Sequence, residues 1–547
     1  MNYAAIAPLL IVAAGALLGV LAEALVPRKR RYLFQVWFSA AIIVVALARV
    51  VVDWFDAGSR HLAGFASISV DSATLLCWAG LLVFGLGSII LAGQRFGGAS
   101  SFTPMGVSMP GSADEREAEA AGGEHSEVFP LMLFALTGML LFPAATDLLT
   151  AFIGLEVLSL PLYLLTALAR RRRLISHEAA LKYFLLGAFS SAIFLYGAAL
   201  TYGFAGSADY AAIDASITQS LTRQPLLLAA LVLLMVGLLF KVGAVPFHAW
   251  VPDTYTGAPT PVTAYMAVGT KVASFGAMAR LLYVAFGGLQ WTWMVPLGIV
   301  AALTMGLGAI LGLTQTNIKR LLAYSSIAHA GFVLAPIAAA VGVVGVGGLS
   351  SMTALVYYLT AYGLATLGAF AIVLIVRDGA GEASDLSAWS GLGRSHPWLA
   401  SAMTLFLCSL AGIPATAGFI GKVDAFVVAW RGGLWWLVLV GLVFSLVAMA
   451  FYMRVVLIMW FGSPSPVPAP AEKAAPDGVA DDSDPTSAEA EPAPAGTTEV
   501  VVPVASVGPV GSSLSALIAF CAAATLVAGL VPNLFTQLAS LAGQLLR

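Results

Sequence analysis

The chain has 547 residues, 60% of them hydrophobic and 10% charged, with a mean hydropathy of +0.93 and a formal net charge of -2. Soluble domains average about 25% charge, so a water-soluble globular fold is excluded. Apolar runs of about 20 residues, continuous rather than alternating, exclude a β-barrel as well and leave an all-α polytopic membrane protein.

Fourteen spans fit the hydropathy, at about 4–26, 32–52, 72–92, 128–145, 147–169, 178–204, 225–250, 259–286, 291–313, 318–341, 350–377, 397–430, 433–461 and 511–533. The first lacks a preceding charged region, so it reads as a span rather than a cleaved signal. Basic residues orient the bundle. Arg28–Arg31, Arg170–Arg173, Lys319, Arg320, Arg377 and Arg394 fall on one side, against Arg60, Arg223 and Arg431 on the other. The positive-inside rule then places both termini outside the cytoplasm.

The chain divides into a three-helix segment (1–92), a loop insertion (93–127), a five-helix unit (128–286), a second five-helix unit (291–461), an acidic Pro/Ala-rich loop (462–510) and a last helix (511–547). Neither insertion has apolar periodicity, so both read as solvated cytoplasmic loops. Residues 463–509 hold eight acids and one base, which leaves the rest of the chain net positive.

Prolines interrupt three spans: Pro161 near the end of span 5, Pro246 in span 7 and Pro414 in span 12. The last two sit close to glycines (Gly243; Gly412, Gly418, Gly421) and to a lysine (Lys241; Lys422). Broken helices at membrane depth are tolerated where they line a cavity, and in corresponding places they indicate a repeat. Spans 7 and 12 are five apart. Five is odd, so spans 4–8 and 9–13 are expected to form an inverted pair.

Only seven lysines occur, and four of them, Lys182, Lys241, Lys271 and Lys422, fall inside spans. A lysine at the bilayer centre costs roughly 2.5–3.5 kcal/mol on insertion scales. Glu156 lies ~14 Å into span 5 and must be neutral or paired. Lys241, just before the span 7 break, is within reach of unwound carbonyls, and an ion pair with Glu156 is the expected arrangement. Lys271 is too deep in span 8 to snorkel. Lys182 lies near the cytoplasmic end of span 6, where snorkelling accounts for it as well as a relay role does. Lys422 is the counterpart in the second half. A contact with Asp424 would need the helix break, because i,i+2 side chains diverge. His329, in mid-span 10 four residues after Ser325, suits a proton relay between halves. His248 is expected to order the turn with Asp253, or to cap it.

Lysines are donors only and offer no ligand to Na⁺ or K⁺, so the string suits protons and implies no metal. Cys77, Cys408 and Cys521 are isolated, without CxxC spacing, and no glycine-rich nucleotide fingerprint occurs. No cofactor, redox centre or nucleic-acid partner is expected on this chain; its surroundings are the lipid bilayer.

The motifs Lys182–Ser191 (KYFLLGAFSS), Phe240–Thr263, Asn317–His329 (NIKRLLAYSSIAH) and Ser409–Lys422 resemble the antiporter-like membrane subunits of NADH:quinone oxidoreductase, respiratory complex I, and within them the subunit N branch. The turn Thr256–Thr260 (TGAPT) lacks the acidic residue usual in the sister subunit M and in multisubunit cation/proton antiporters. The absence of a long lateral helix separates the chain from subunit L. The resemblance covers nearly all of the chain outside the two insertions. It implies that Glu156, Lys182, Lys241, Lys271 and Lys422 are proton-channel residues, with His329 matching the span 10 histidine. Asp424 departs from the pattern. It also implies a bacterial plasma-membrane complex that oxidises NADH and reduces quinone through FMN and Fe–S clusters on other subunits. The implied partners are the neighbouring antiporter-like subunit and the small helical subunits. Two other readings stand beside it, a subunit of a Na⁺/H⁺ antiporter and a non-pumping scaffold.

Overall fold

The computed structural model describes residues 3–56, 61–63, 66–96, 99–102, 113, 125–170, 173–219, 224–342, 349–378, 381–463, 506–508 and 510–541. Eleven helices among them are long and apolar enough to cross a membrane. Val128–Ala144 (span 4) and Pro397–Ala411 (the start of span 12) are shorter apolar helices. Span 8 is built from Thr260–Tyr265, a π-helical turn Met266–Thr270, the helix Lys271–Arg280 and a second π-helical turn Leu281–Ala285.

Several helices start on side-chain caps that satisfy amides the bilayer cannot. Asp71 accepts from Thr74 N (2.8 Å), Asp147 from Thr150 N (2.7 Å), Asn317 from Arg320 N (3.1 Å) and Ser350 from Thr353 N (3.1 Å). Connections gather on two sides, as alternate crossings require. On one side Thr146 N bonds Ser67 O, Leu148 N bonds Ala208 O and Gly288 N bonds Asp214. On the other, Ser126 donates to Glu23, Lys319 to Ala258 O, and strands Val376–Asp378, Gly381–Glu382 and Ser506–Val507 form one small sheet. That sheet ties the end of the acidic loop to the connection after span 11. Residues 464–505 of that loop lie outside the described residues. The 93–127 insertion begins packed: Phe102 is buried and bridges Ala169. All but four of residues 103–127 lie outside the described set.

Burial sorts the helices into an axis and a rim. The apolar windows of spans 10 and 11 are both 94% buried, against 28% for span 2 and 33% for span 13, so spans 10 and 11, with the buried span 8, form the axis and spans 2 and 13 lie at the rim. Small residues bring neighbours together, as membrane packing favours. A Cβ on Gly138 (span 4) would sit 2.2 Å from Leu158 N (span 5), and one on Gly308 (span 9) 2.4 Å from Ala328 N (span 10). The same backbone contact thus recurs between spans 4 and 5 and between spans 9 and 10.

Pro161 does not break span 5. Helix Leu148–Thr166 runs through it, because no positive-φ glycine accompanies the proline and close packing on span 4 holds the turn.

The N-terminal segment is locked to span 8 by Arg280, a charge buried near the end of that span. Its Nη2 reaches both Asp71 carboxylate oxygens (2.9 and 2.8 Å) and Thr74 Oγ1 (2.9 Å), and its Nε donates to Pro143 O (2.8 Å). Arg280 is 1% and Asp71 2% exposed. Removing one member of a buried pair strands the other, at about 3–5 kcal/mol. Arg280→Met should therefore lower the thermal unfolding midpoint of the detergent-solubilised protein, read by intrinsic fluorescence. An unchanged midpoint would refute the lock.

Candidate proton pathway

Span 7 consists of helix Gln224–Val242, an interruption, and helix Trp250–Gly257. Gly243 takes φ +75°, where a Cβ is penalised, and Val245–Pro246 is cis. Nearby groups absorb the freed backbone: Gly243 N bonds Phe240 O (3.0 Å), Trp250 Nε1 bonds Phe240 O (2.9 Å) and Val245 N bonds Thr304 Oγ1 (3.0 Å). Val242 O, the last carbonyl of the first half-helix, accepts from Lys271 Nζ at 2.8 Å.

Span 12 repeats the device. Helix Pro397–Ala411 ends at Gly412 (φ +83°), and helix Ala417–Arg431 resumes after Pro414 and Ala415 (φ +69°). Ala411 O, the last carbonyl of its half-helix, accepts from Lys422 Nζ at 2.8 Å, and Ser445 Oγ lies 2.9 Å from the same nitrogen. A Cβ on Gly412 would stand 2.8 Å from Lys422 Cδ, so glycine is needed both for the turn and for the lysine's approach. Each ammonium therefore sits at the negative end of an interrupted helix, on a carbonyl with no intrahelical donor. In the first unit the lysine comes from the following span; in the second it comes from the broken span itself.

Lys241 departs from expectation in two ways. The unwound carbonyl near it is taken by Lys271, and no direct ion pair with Glu156 forms. Lys241 Nζ instead donates to Ser159 Oγ (2.6 Å), approaches Tyr183 OH (3.4 Å) and lies 5.4 and 5.7 Å from the ring centroids of Tyr183 and Tyr163. Ser159 Oγ in turn donates a hydrogen bond to Leu155 O. Glu156 is within electrostatic reach of Lys241, but its Oε1 is buried without a hydrogen-bond partner. Ser159 is one helical turn beyond Glu156, on the same face, so it occupies the place the pair would need. That i,i+3 spacing was the available sequence signal for it.

Lys182 faces neither Lys241 nor Lys271. Its Nζ pairs with Glu178 (2.7 Å) and Asp253 (2.9 Å), and Asp253 also binds Arg320 (3.0 Å). Its side chain is 44% exposed, whereas Lys241, Lys271 and Lys422 are 3%, 3% and 4% exposed. Asp253 is thus committed to Lys182 and Arg320, not to His248, whose Nδ1 is buried without a partner. Asp424 does not pair with Lys422 either; its Oδ2 is buried and unpartnered, because the helix is intact between the two residues.

His329 is buried among hydroxyls. Nδ1 meets Tyr358 OH (2.8 Å) and Nε2 meets Tyr452 OH (3.2 Å), which in turn bonds Ser325 Oγ. Lys271 and Lys422 are both within electrostatic reach of the imidazole, and Lys422 Nζ lies 4.9 Å from the Phe332 ring. A cavity of about 10 Å³, room for roughly one water, adjoins His329, Tyr358, Tyr362 and Ser409. Lys319, counted from sequence only as an orienting base, proves buried. It donates to Ala258 O (2.7 Å) and lies 3.6 Å from Glu382. Among the described residues no group of three or more His, Cys, Asp or Glu side chains is placed to hold a metal ion.

Chemically, the arrangement is a string of donors and acceptors through the buried middle of both units, with a charged cluster at one surface. Ser159→Ala should remove a charge-assisted bond of about 1.5–3 kcal/mol and let Lys241 close onto Glu156. We expect proton transport to fall in Ser159→Ala and to be kept in Ser159→Thr, measured as dye-detected acidification in membrane vesicles. Equal transport in the alanine variant would count against the bridge.

The membrane-domain family described as "NADH:quinone oxidoreductase/Mrp antiporter, TM" matches residues 145–448. A protein named NADH-quinone oxidoreductase subunit N from Nocardioides sp. is 50% identical over 473 residues, covering 83% of this chain and 87% of its own. Subunit N 3 from Streptomyces griseus is 44% identical, covering 100% and 95%. Among solved structures, a chain of respiratory complex I from Thermus thermophilus matches with a TM-score of 0.71 at 30% identity, covering 97% of this chain and 98% of its own. A chain of the Mrp complex from Dietzia sp. matches with a TM-score of 0.77 at 22% identity, covering 99% and 97%, which shows the shared fold. The chain belongs to the NADH:quinone oxidoreductase/Mrp antiporter family of membrane subunits, among the subunit N relatives.

Proposed function

We propose that this chain is the proton-translocating subunit N of a bacterial NADH:quinone oxidoreductase, driven by electron transfer in other subunits. The observation that carries the reading is the set of three buried lysines, Lys241, Lys271 and Lys422, each hydrogen-bonded to neutral oxygen rather than to a carboxylate. A lysine locked to a carboxylate stays charged. One held by a carbonyl or hydroxyl keeps its bond as ammonium or as amine, so it can gain and lose a proton without a large rearrangement. In this reading protons pass between Glu156 and Lys241 through Ser159, then to Lys271, His329 and Lys422. Lys182, with Glu178, Asp253 and Arg320, holds the cytoplasmic mouth. Gly243, Pro246 and Pro414 set the breaks that expose the carbonyls; His248 and Asp424 line them as modulators.

The fourteen crossings, the inverted pairing of spans 4–8 with 9–13 and the placement of both termini outside the cytoplasm belong to the same reading. The paired breaks and the recurring glycine contacts support it. NADH, quinone, FMN and the Fe–S clusters belong to partner subunits, and the neighbouring antiporter-like and small helical subunits flank this chain in the bilayer. Identity of 44–50% to subunit N relatives, against 22% to the Mrp chain, favours this over the exchanger reading.

Lys241→Ala and Lys271→Ala should each lower proton pumping in an assembled complex while NADH binding persists, scored as acidification of inverted vesicles on NADH addition. Full pumping in both variants would sink the relay and leave the scaffold reading. Copurification with flavin and Fe–S subunits separates the complex from a stand-alone antiporter.

A further inference from the structure

On span 11 the helix face that carries Tyr358 continues at four-residue spacing through Tyr362, Thr366 and Phe370. That spacing stacks the four side chains along one face, ~6 Å apart. Tyr358 bonds His329, and the Tyr362 ring lies 5.1 Å from the imidazole. All four are buried, at 3%, 4%, 4% and 0% exposure. Span 10 contributes Ser326, and the second half-helix of span 7 contributes Tyr255, whose hydroxyl is 3.5 Å from Ser326 Oγ.

Two members of this row, Tyr362 OH and Thr366 Oγ1, have no direct hydrogen-bond partner, although Ser326 and Thr366 both neighbour the Tyr362 hydroxyl. Buried polar atoms in native proteins are normally satisfied, and neighbouring hydroxyls without a direct bond of good geometry are bridged by water. One such atom is a packing compromise. Two in succession on one helix face, ending at a histidine, form a row. The row stops at Phe370, whose ring lies 6.4 Å from that of Tyr255. Past the end of the helix lies the basic pocket of Arg170, Lys319, Arg377 and Glu382.

We propose that Tyr255, Ser326, Tyr362 and Thr366 form a water-bridged hydroxyl wire that delivers protons from the Lys319/Glu382 pocket to His329, with Phe370 as its dry constriction. This rests on the proton-translocating reading above. Each hydroxyl accepts a proton on oxygen and releases its own onward, so the wire ends each passage neutral and needs no charged residue. It reaches His329 through Tyr358, whose hydroxyl meets the imidazole Nδ1, independently of the Glu156–Ser159–Lys241 end.

The test uses the assembled complex in inverted membrane vesicles, with protons translocated per NADH oxidised as the readout. Thr366→Val keeps the shape and removes the hydroxyl; Thr366→Ser restores the hydroxyl. We expect Thr366→Val and Tyr362→Phe to translocate fewer protons per NADH, and Thr366→Ser to return to the parent ratio. A parent ratio in Thr366→Val overturns the wire when Lys271→Ala, run alongside, lowers it. A parent ratio in Lys271→Ala as well overturns the translocation reading itself. Should Tyr362→Phe fail to assemble, the valine and serine variants at Thr366 decide alone.

Discussion

A buried ammonium resting on the last carbonyl of an interrupted helix is the contact on which the rest of the molecule depends. It occurs twice, as Lys271 on Val242 O and Lys422 on Ala411 O. Each break leaves a carbonyl without an intrahelical donor, and each deep lysine brings donors that need an oxygen at that depth. Either alone would cost several kcal/mol; together each answers the other's need. The glycines follow from this. Gly243 and Gly412 adopt the left-handed turn that ends each half-helix, and Gly412 also leaves room for the lysine stem. The heavily buried spans 10 and 11 follow too, because they wall in both sites and carry the histidine and tyrosines between them.

The two halves solve one problem with different chain connections. In the first unit the lysine on the free carbonyl arrives from the next span, and Lys241 on the broken span is turned toward Ser159 and Glu156. In the second the broken span supplies its own lysine, and Ser445 stands beside it. Two buried lysines, Lys241 and Lys271, thus stand beside the first break, whereas Lys422 alone donates to the carbonyl at the second and Asp424 does not pair with it. The Mrp chain shares the architecture at a TM-score of 0.77, so the fold alone does not specify the function, which must be argued from side chains.

The sequence made the scaffold legible because its signals are one-dimensional: apolar run length, basic loops, and proline with glycine beside lysine. Those placed the spans, both main breaks and the deep lysines. Side-chain pairings were less legible, because they depend on which helix faces meet. Glu156 and Lys241 are opposite charges at similar depth, yet a serine one turn along intervenes. Asp253 and His248 are near in sequence, yet Asp253 turns to Lys182 and Arg320 on other spans. Pro161 looked like a third break, but a proline without a positive-φ glycine is carried by its neighbours. Lys319 and Arg280 sit near span ends, where hydropathy treats a base as a boundary marker, and only the tertiary packing shows that both are buried.

On the proposed pathway protons cross between the units through Lys271, His329 and Lys422. That crossing is tested most directly by a density map of the assembled complex sharp enough to show ordered water, recorded at rest and during NADH oxidation. Water bridging Lys271 to His329 and His329 to Lys422 is expected in at least one of the two states. Closely packed apolar side chains separating the three residues in both states, with no water between them, would contradict it.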